Sequence, residues 1–211
     1  MTSPRTPATG PPGSVTPKPA KPVGLQVDPK TSRVTIKVGA EGYGHPHGVS
    51  GQLASGKIDL GGPGDLVFDM KSFVADRPDV RAHLGLTKKV SSSDQRKVTE
   101  AMLGADVLDV ARFPKAAYSI TAIAPLDGQP PGDTGRYQVD GEFTLHGVKR
   151  PLRVLSALER TDRAGVLLMR GSFTILQTQF GITPYSALGG FVRVTDKLEV
   201  WADLVLLNPP P

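Results

Sequence analysis

The chain has 211 residues, no cysteine, 20 prolines, 24 glycines and a formal charge of +5. Without cysteine there is no disulfide, no thiolate metal site, no iron–sulfur cluster and no thiol nucleophile. No window approaches the ~18 consecutive apolar residues of a membrane helix, and once Arg5, Lys18 and Lys21 are set aside the body is nearly neutral, which gives little support for nucleic-acid binding.

Residues 1–24 hold Pro4, Pro7, Pro11, Pro12, Pro17, Pro19 and Pro22 and almost no large apolar side chain. Such a segment cannot offset its ordering entropy by burial, so a disordered or polyproline-II-like tail is expected. As a semi-rigid spacer it would reach roughly 60 Å. It lacks the apolar region of a secretory signal. Residues 208–211 repeat the composition with Pro209, Pro210 and Pro211. The folding part is then residues 25–207, the size of one domain.

Period-two alternation begins at Arg33–Val38. Gly44–His45–Pro46–His47–Gly48 follows. Two histidines at i, i+2 in extended chain can share a metal, so His45 and His47 are weak candidates. A turn at a strand end is the favoured reading. Gly51–Leu60 alternates again. Within it, Gly51 to Lys57 has the G-x-x-x-x-G-K spacing, but Ile58 stands where a phosphate loop needs Ser or Thr, and no helix follows. A glycine-kinked strand is expected instead. Leu66–Phe73 is the third alternating segment.

Residues 76–113 break the β pattern. Pro78 suits a first helical turn and Gly85 an end. Ser92 and Gln95 have capping-box spacing, and Val98, Ala101, Met102 and Ala105 form one apolar stripe. Val107–Pro114 reads as a further helical turn. In a closed sheet this insertion covers one mouth or an outer face.

Alternation resumes at Ala116–Leu126, Arg136–Leu145, Leu152–Glu159, Val166–Ile175 and Lys197–Leu207. Eight such segments predict an antiparallel sheet that closes or folds over itself. Choosing one phase per strand places Leu66, Phe68, Met70, Tyr118, Ile120, Tyr137, Val139, Phe143 and Leu145 inside. Ala122, Leu152, Val154, Met169, Phe173, Ile175, Val200 and Leu204 join them. Small inward residues, Gly141, Gly171 and Ala202, would leave room for an elongated apolar ligand. A tight turn at His146–Gly147 joins two strands, and Lys149 and Arg150 beside it are exposed hairpin charges or a grip for an anionic head group. No G-x-S-x-G or H-E-x-x-H motif is present.

Gly141–Pro151 (GEFTLHGVKRP) resembles the G-x-L-T-L-H-G-V-T-K-P hairpin of the YceI-like family of polyisoprenoid-binding proteins. Leu103–Pro114, the Gln179–Phe180–Gly181–Ile182 turn, and Leu66–Phe73 with the insertion after it resemble further segments of that family, in the same order. The resemblance implies an all-β fold with a helical insertion, an eight-stranded antiparallel lipocalin-like β-barrel over about residues 25–207. It implies non-enzymatic binding, transport or sequestration of a polyisoprenoid, quinone or other lipid-like molecule, with no required cofactor. It also implies a bacterial periplasmic or envelope location and allows a homodimer. His146, Lys149 and Arg150 are then candidates for the mouth. Three departures stand out. Gln179 replaces an acidic residue, the proline-rich tail is unusual, and the His45–His47 turn is more elaborate. Two other readings stay open: a hydrolase or isomerase using His45, His47 and a carboxylate, and a filled barrel acting as a structural or stress-response interaction module.

Overall fold

The computed structural model describes residues 24–126, 128 and 131–208. The expected tail, apart from Gly24, and the terminal prolines lie outside the described residues. The elements in order are β1 (Gly24–Val27), β2 (Arg33–Gly42), β3 (His47–Asp59), β4 (Gly64–Ala75), α1 (Pro78–His83) and α2 (Ser92–Leu103). Then come β5 (Lys115–Pro125), β6 (Gly135–Leu145), β7 (Val148–Arg160), β8 (Val166–Leu176), β9 (Ser186–Ala187) and β10 (Val192–Leu207).

Strands β2 to β8 pair antiparallel with their neighbours in sequence order. β10 pairs with β8 on one side and β2 on the other, and so closes an eight-stranded barrel. All eight alternating segments are strands of this barrel. Two short strands carried no alternation signal. β9 lies against β10, and β1 sits between β10 and β3, continuing the line of β2.

Closure gives each strand one inward phase. Most residues placed inside by alternation are buried; Phe173, Leu152 and the small residues Gly141, Gly171 and Ala202 are half-buried, and Ala122 is exposed, because a register shift between Ile120 and Ala122 turns Ile123 inward in its place. One end of the interior is filled. Leu25, Ile58, Ile123, Tyr137, Leu158 and Leu206 are almost wholly buried there. The Tyr137 hydroxyl donates to the Gly132 carbonyl at 2.7 Å and accepts from the Gly132 N–H at 2.8 Å. A buried phenol needs such partners.

The Gly51–Lys57 stretch lies wholly within β3 and forms no phosphate loop. Its register against β4 shifts twice. Phe73 of β4 packs flat over Gly51, where a Cβ would stand 2.4 Å from the ring. Gly141 does not open space as alternation suggested. The backbone of β5 and the Tyr118 ring fill it: a notional Cβ would stand 2.3 Å from the Ser119 carbonyl oxygen and 2.8 Å from Tyr118 Cε2. At the β6–β7 hairpin, His146 and Gly147 both have positive φ, 51° and 76°. This is the twist that a two-residue hairpin requires.

The insertion differs from expectation in two details. Helix α2 is capped by Ser91, not Ser92; Ser91 Oγ accepts from the Asp94 N–H at 3.1 Å. Residues 104–113 form hydrogen-bonded turns and not a helix, so Ala105 lies past the end of α2. Thr99 ties α2 to the barrel. Its Oγ1 accepts from the Ala75 N–H at the end of β4, at 3.1 Å.

Gly51→Ala should destabilise the domain by about 1–3 kcal/mol, because the added methyl overpacks against Phe73. Chemical denaturation measures this; an unchanged midpoint would show that the Phe73 ring moves aside freely.

Candidate functional site

The end of the barrel under α2 is hollow. A cavity of about 360 Å³ lies there, at the small end of the ~300–1,000 Å³ typical of small-molecule sites. Phe68, Met70, Phe143, Leu145, Phe173 and Val200 line it, all expected from alternation. Val34, Ile36 and Val38 of β2 and Val49 of β3 complete the wall. The apolar stripe of α2, Val98, Ala101 and Met102, forms a roof with Val107 and Leu108. The insertion therefore covers a mouth, as one of the two expected arrangements.

Phe68, Phe143 and Phe173 also line a second void of about 40 Å³ on the side toward the filled end. Leu66, Tyr118, Ile120, Val139, Met169 and Leu204 line that void, together with Gly171 and Ala202. The three phenylalanines form a waist between the two spaces. Phe143 meets Phe68 edge-on at 6.1 Å and Phe173 at 6.3 Å between ring centroids. The Tyr118 hydroxyl reaches the carbonyls of Val139 and Leu152, 2.9 Å each, and burial pushes its ionisation upward. Tyr137 lines neither space. It is part of the filled end.

The proposed mouth residues lie elsewhere. His146 stacks on Phe113 at 4.4 Å. Arg150 Nε donates to the Gln179 carbonyl at 3.0 Å, so it braces the neighbouring turn and does not project into the lumen. Lys149 is exposed. None of the three lines either space. The reason is geometric: the hairpin turns outward past Phe113, while Leu145 is the last inward side chain of β6. Beside it, Phe180 packs on Phe143 at 5.7 Å, and Gly181, at φ 69°, turns the chain so that Ile182 joins the cavity wall.

The polar side of the cavity is built instead by His45, His47, Gln177, Tyr185, Lys97 and Arg193. Every ionisable lining group other than Tyr185 is basic or a histidine. His47 Nδ1 lies 2.5 Å from Asp76 Oδ2. Asp76 is fully buried, and its other oxygen accepts from Arg81 at 2.6 Å and from the Gly48 N–H at 3.1 Å. Arg81 is almost fully buried too and also donates to the carbonyls of Lys88 and Pro46. Burial alone would raise the Asp76 carboxyl; His47, Arg81 and the Gly48 amide outweigh it and hold it below 3.8. His45 lies 4.6 Å from His47 between ring centroids, with Lys88 Nζ 3.2 Å from its Nδ1. Burial, then the proximity of His47 and Lys88, lowers its pKa from 6.5 and favours the neutral ring.

One atom each of His45, His47 and Asp76 lies within 4.8 Å of the others. The surroundings oppose a dication. Arg81 and Lys88 sit directly on two of these groups, and both carboxylate oxygens already accept hydrogen bonds. The histidines of the cavity wall thus converge with a carboxylate buried behind it, as the enzyme reading required, but in a cationic setting. The pairing was invisible in sequence, because nothing in the spacing of His47 and Asp76, 29 residues apart, marks them as partners.

Asp76→Asn leaves Arg81 buried without its counter-charge and should cost about 3–5 kcal/mol. The lowered Asp76 carboxyl contributes stability that is present above 3.8 and lost as pH falls through the folded-state value. Denaturation midpoints followed over that acid range should therefore fall more steeply for the native chain than for Asp76→Asn. Parallel slopes would mean that the carboxyl carries no such linkage.

The profile of the YceI-like domain matches residues 25–206. None of the curated proteins compared with it matches the chain. Among solved structures, a polyisoprenoid binding domain from Saccharophagus degradans, described as implicated in plant cell wall breakdown, superposes with a TM-score of 0.61 at 15% identity. The match covers 89% of this chain and 99% of that one. BcnA of Burkholderia cenocepacia superposes with a TM-score of 0.54 at 18% identity, over 85% of this chain and 98% of its own. At these identities the likeness is one of fold.

Proposed function

Because this chain belongs to the YceI-like domain family, we propose that it binds a long apolar molecule, a polyisoprenoid, quinone or similar lipid, inside its barrel. The observation that carries this reading is the 360 Å³ cavity, walled by aliphatic and aromatic side chains and polar at one side only. Burial of the ligand's apolar surface supplies the driving force, ~25 cal/mol per Å². The Saccharophagus domain, a polyisoprenoid binding domain of the same fold, supports the ligand class. The cavity as it stands takes only a section of a long chain. Longer ligands reach the second void by displacing the phenylalanine waist, of which half-buried Phe173 is the least constrained member. The role is carriage or sequestration, without a required cofactor, in the bacterial periplasm or envelope; fractionation of the native host tests the location.

A hydrolytic reading draws on one observation: His47, oriented by Asp76, faces the cavity. Among the described residues the lining holds no serine, threonine or cysteine, so that base would act on water. Turnover of apolar esters that disappears in His47→Gln would establish it.

Native mass spectrometry and solvent extraction of the purified protein should yield a lipid-like molecule. Ala101→Trp projects an indole from α2 into the cavity and should lower affinity for a fluorescent isoprenoid at least tenfold while the far-ultraviolet circular dichroism stays β-rich. Undiminished binding would place the ligand outside the lumen. Phe173→Ala joins the two spaces and should shift preference toward longer chains.

A further inference from the structure

His45 Nε2 is buried in the cavity wall and has no hydrogen-bond partner among the described residues. A buried polar nitrogen left unpaired is costly, so its natural complement is something that enters the cavity. The chemistry of that complement follows from the two histidine tautomers. The Lys88 ammonium has only donors, so His45 Nδ1 must accept from it. The proton of the neutral ring then sits on Nε2, which becomes an unused donor. His47 has the opposite arrangement. Its Nδ1 faces the Asp76 carboxylate, which only accepts, so Nδ1 carries a proton, and in the neutral ring Nε2 holds a free lone pair. The buried Arg81 and the Gly48 amide fix the carboxylate and, through it, the His47 ring. The two rings stand 4.6 Å apart at 45°, both on the cavity wall.

The polar side of the wall thus offers, at the two histidines, one donor beside one acceptor. A hydroxyl group uses both, since its oxygen accepts while its proton is donated. A hydrocarbon leaves both unpaired. An ether or ketone answers His45 and leaves His47 unused. A carboxylate has no proton for His47 Nε2. Of the two other cationic groups on the wall, Arg193 is already engaged with Glu41 at 3.3 Å. We propose that His45 and His47 form a head-group subsite for the hydroxyl of a long-chain alcohol. In it, His45 Nε2–H donates to the alcohol oxygen and His47 Nε2 accepts the alcohol proton. Asp76 and Arg81 are positioning residues that hold the His47 tautomer. This rests on the lumen reading above and specifies the ligand's polar end.

The test uses the full chain and four probes sharing one isoprenoid tail: farnesol, its methyl ether, the hydrocarbon without oxygen, and farnesoic acid. Dissociation constants come from displacement of a fluorescent lipid. Farnesol should bind about tenfold more tightly than the ether or hydrocarbon, the difference made by a satisfied polar pair. In His45→Phe, which keeps a flat ring and leaves only the His47 acceptor, the alcohol-to-hydrocarbon ratio should fall severalfold. His45→Gln places an amide N–H near the lost donor and should recover part of it. Equal binding of alcohol and hydrocarbon to the native chain, or an unchanged ratio in His45→Phe, overturns the subsite and leaves the lumen reading intact. Tightest binding of farnesoic acid also overturns it, in favour of Lys97 and Arg193 selecting an anion. Failure of every probe to bind, the hydrocarbon included, removes the lumen reading and the subsite with it.

Discussion

Asp76 leaves the end of β4 with φ of 53°, a left-handed backbone that non-glycine residues rarely adopt. Its carboxylate is fully buried, and it is held there by a guanidinium, an imidazole and a backbone amide. These partners come from two places. Arg81 belongs to α1, while His47 and Gly48 open β3. Arg81 in turn grips the Lys88 carbonyl ahead of α2 and the Pro46 carbonyl within the histidine turn. One charged centre therefore fixes how the helical insertion, the histidine turn and the barrel meet. Buried ions are a poor source of net stability against an apolar alternative, but removing one partner is severe. That asymmetry makes the network a positional device: it forces one arrangement of roof over mouth.

The interior below this centre is graded. Tyr137, Ile123 and Leu158 fill one end, three phenylalanines stand across the middle, and the other end is open under α2. An eight-stranded barrel has an interior just wide enough to be filled by side chains or to hold one small ligand. This barrel does both along its length. The filled end gives a domain without cysteine a stretch of almost wholly buried side chains, while the hollow end keeps room for a guest. The half-buried side chains around the cavity are the residues whose packing a guest would complete.

The strands were legible because closure demands alternation, and alternation is a local signal. Phe68, Val139 and Met169 could each be assigned to the inside from their immediate neighbours. The hairpin turn was legible too, since His146–Gly147 is a two-residue connection between alternating runs. Other features were not local. Gly141 looked like empty space until Tyr118, on the adjoining strand, was seen to fill it. His146, Lys149 and Arg150 are mouth candidates by their charge and their place in the hairpin motif, yet none of them lines the cavity. Val34, Ile36 and Val38 alternate as clearly as any residues, and their place on the wall follows once β2 is seen to flank the mouth. Asp76 and Arg81 could not be found at all: in sequence they are two charges in a loop rich in charges, and only the fold buries them.

Strand β10 bears on how the molecule is made. It pairs with β8 along nearly the full length of β8 and with β2, β1 and β9 besides. Until it is in place, a chain with β2 to β8 already paired has two open edges, each a row of unsatisfied amides and carbonyls over an apolar face. Those edges are the surfaces on which sheets of different molecules join. Their partner comes from the far end of the sequence, so closure carries a long loop-closure delay. The final strand is thus both the seam of the container and the guard against polymerisation, and a lesion that weakens it should act first on solubility, before it alters anything inside the barrel.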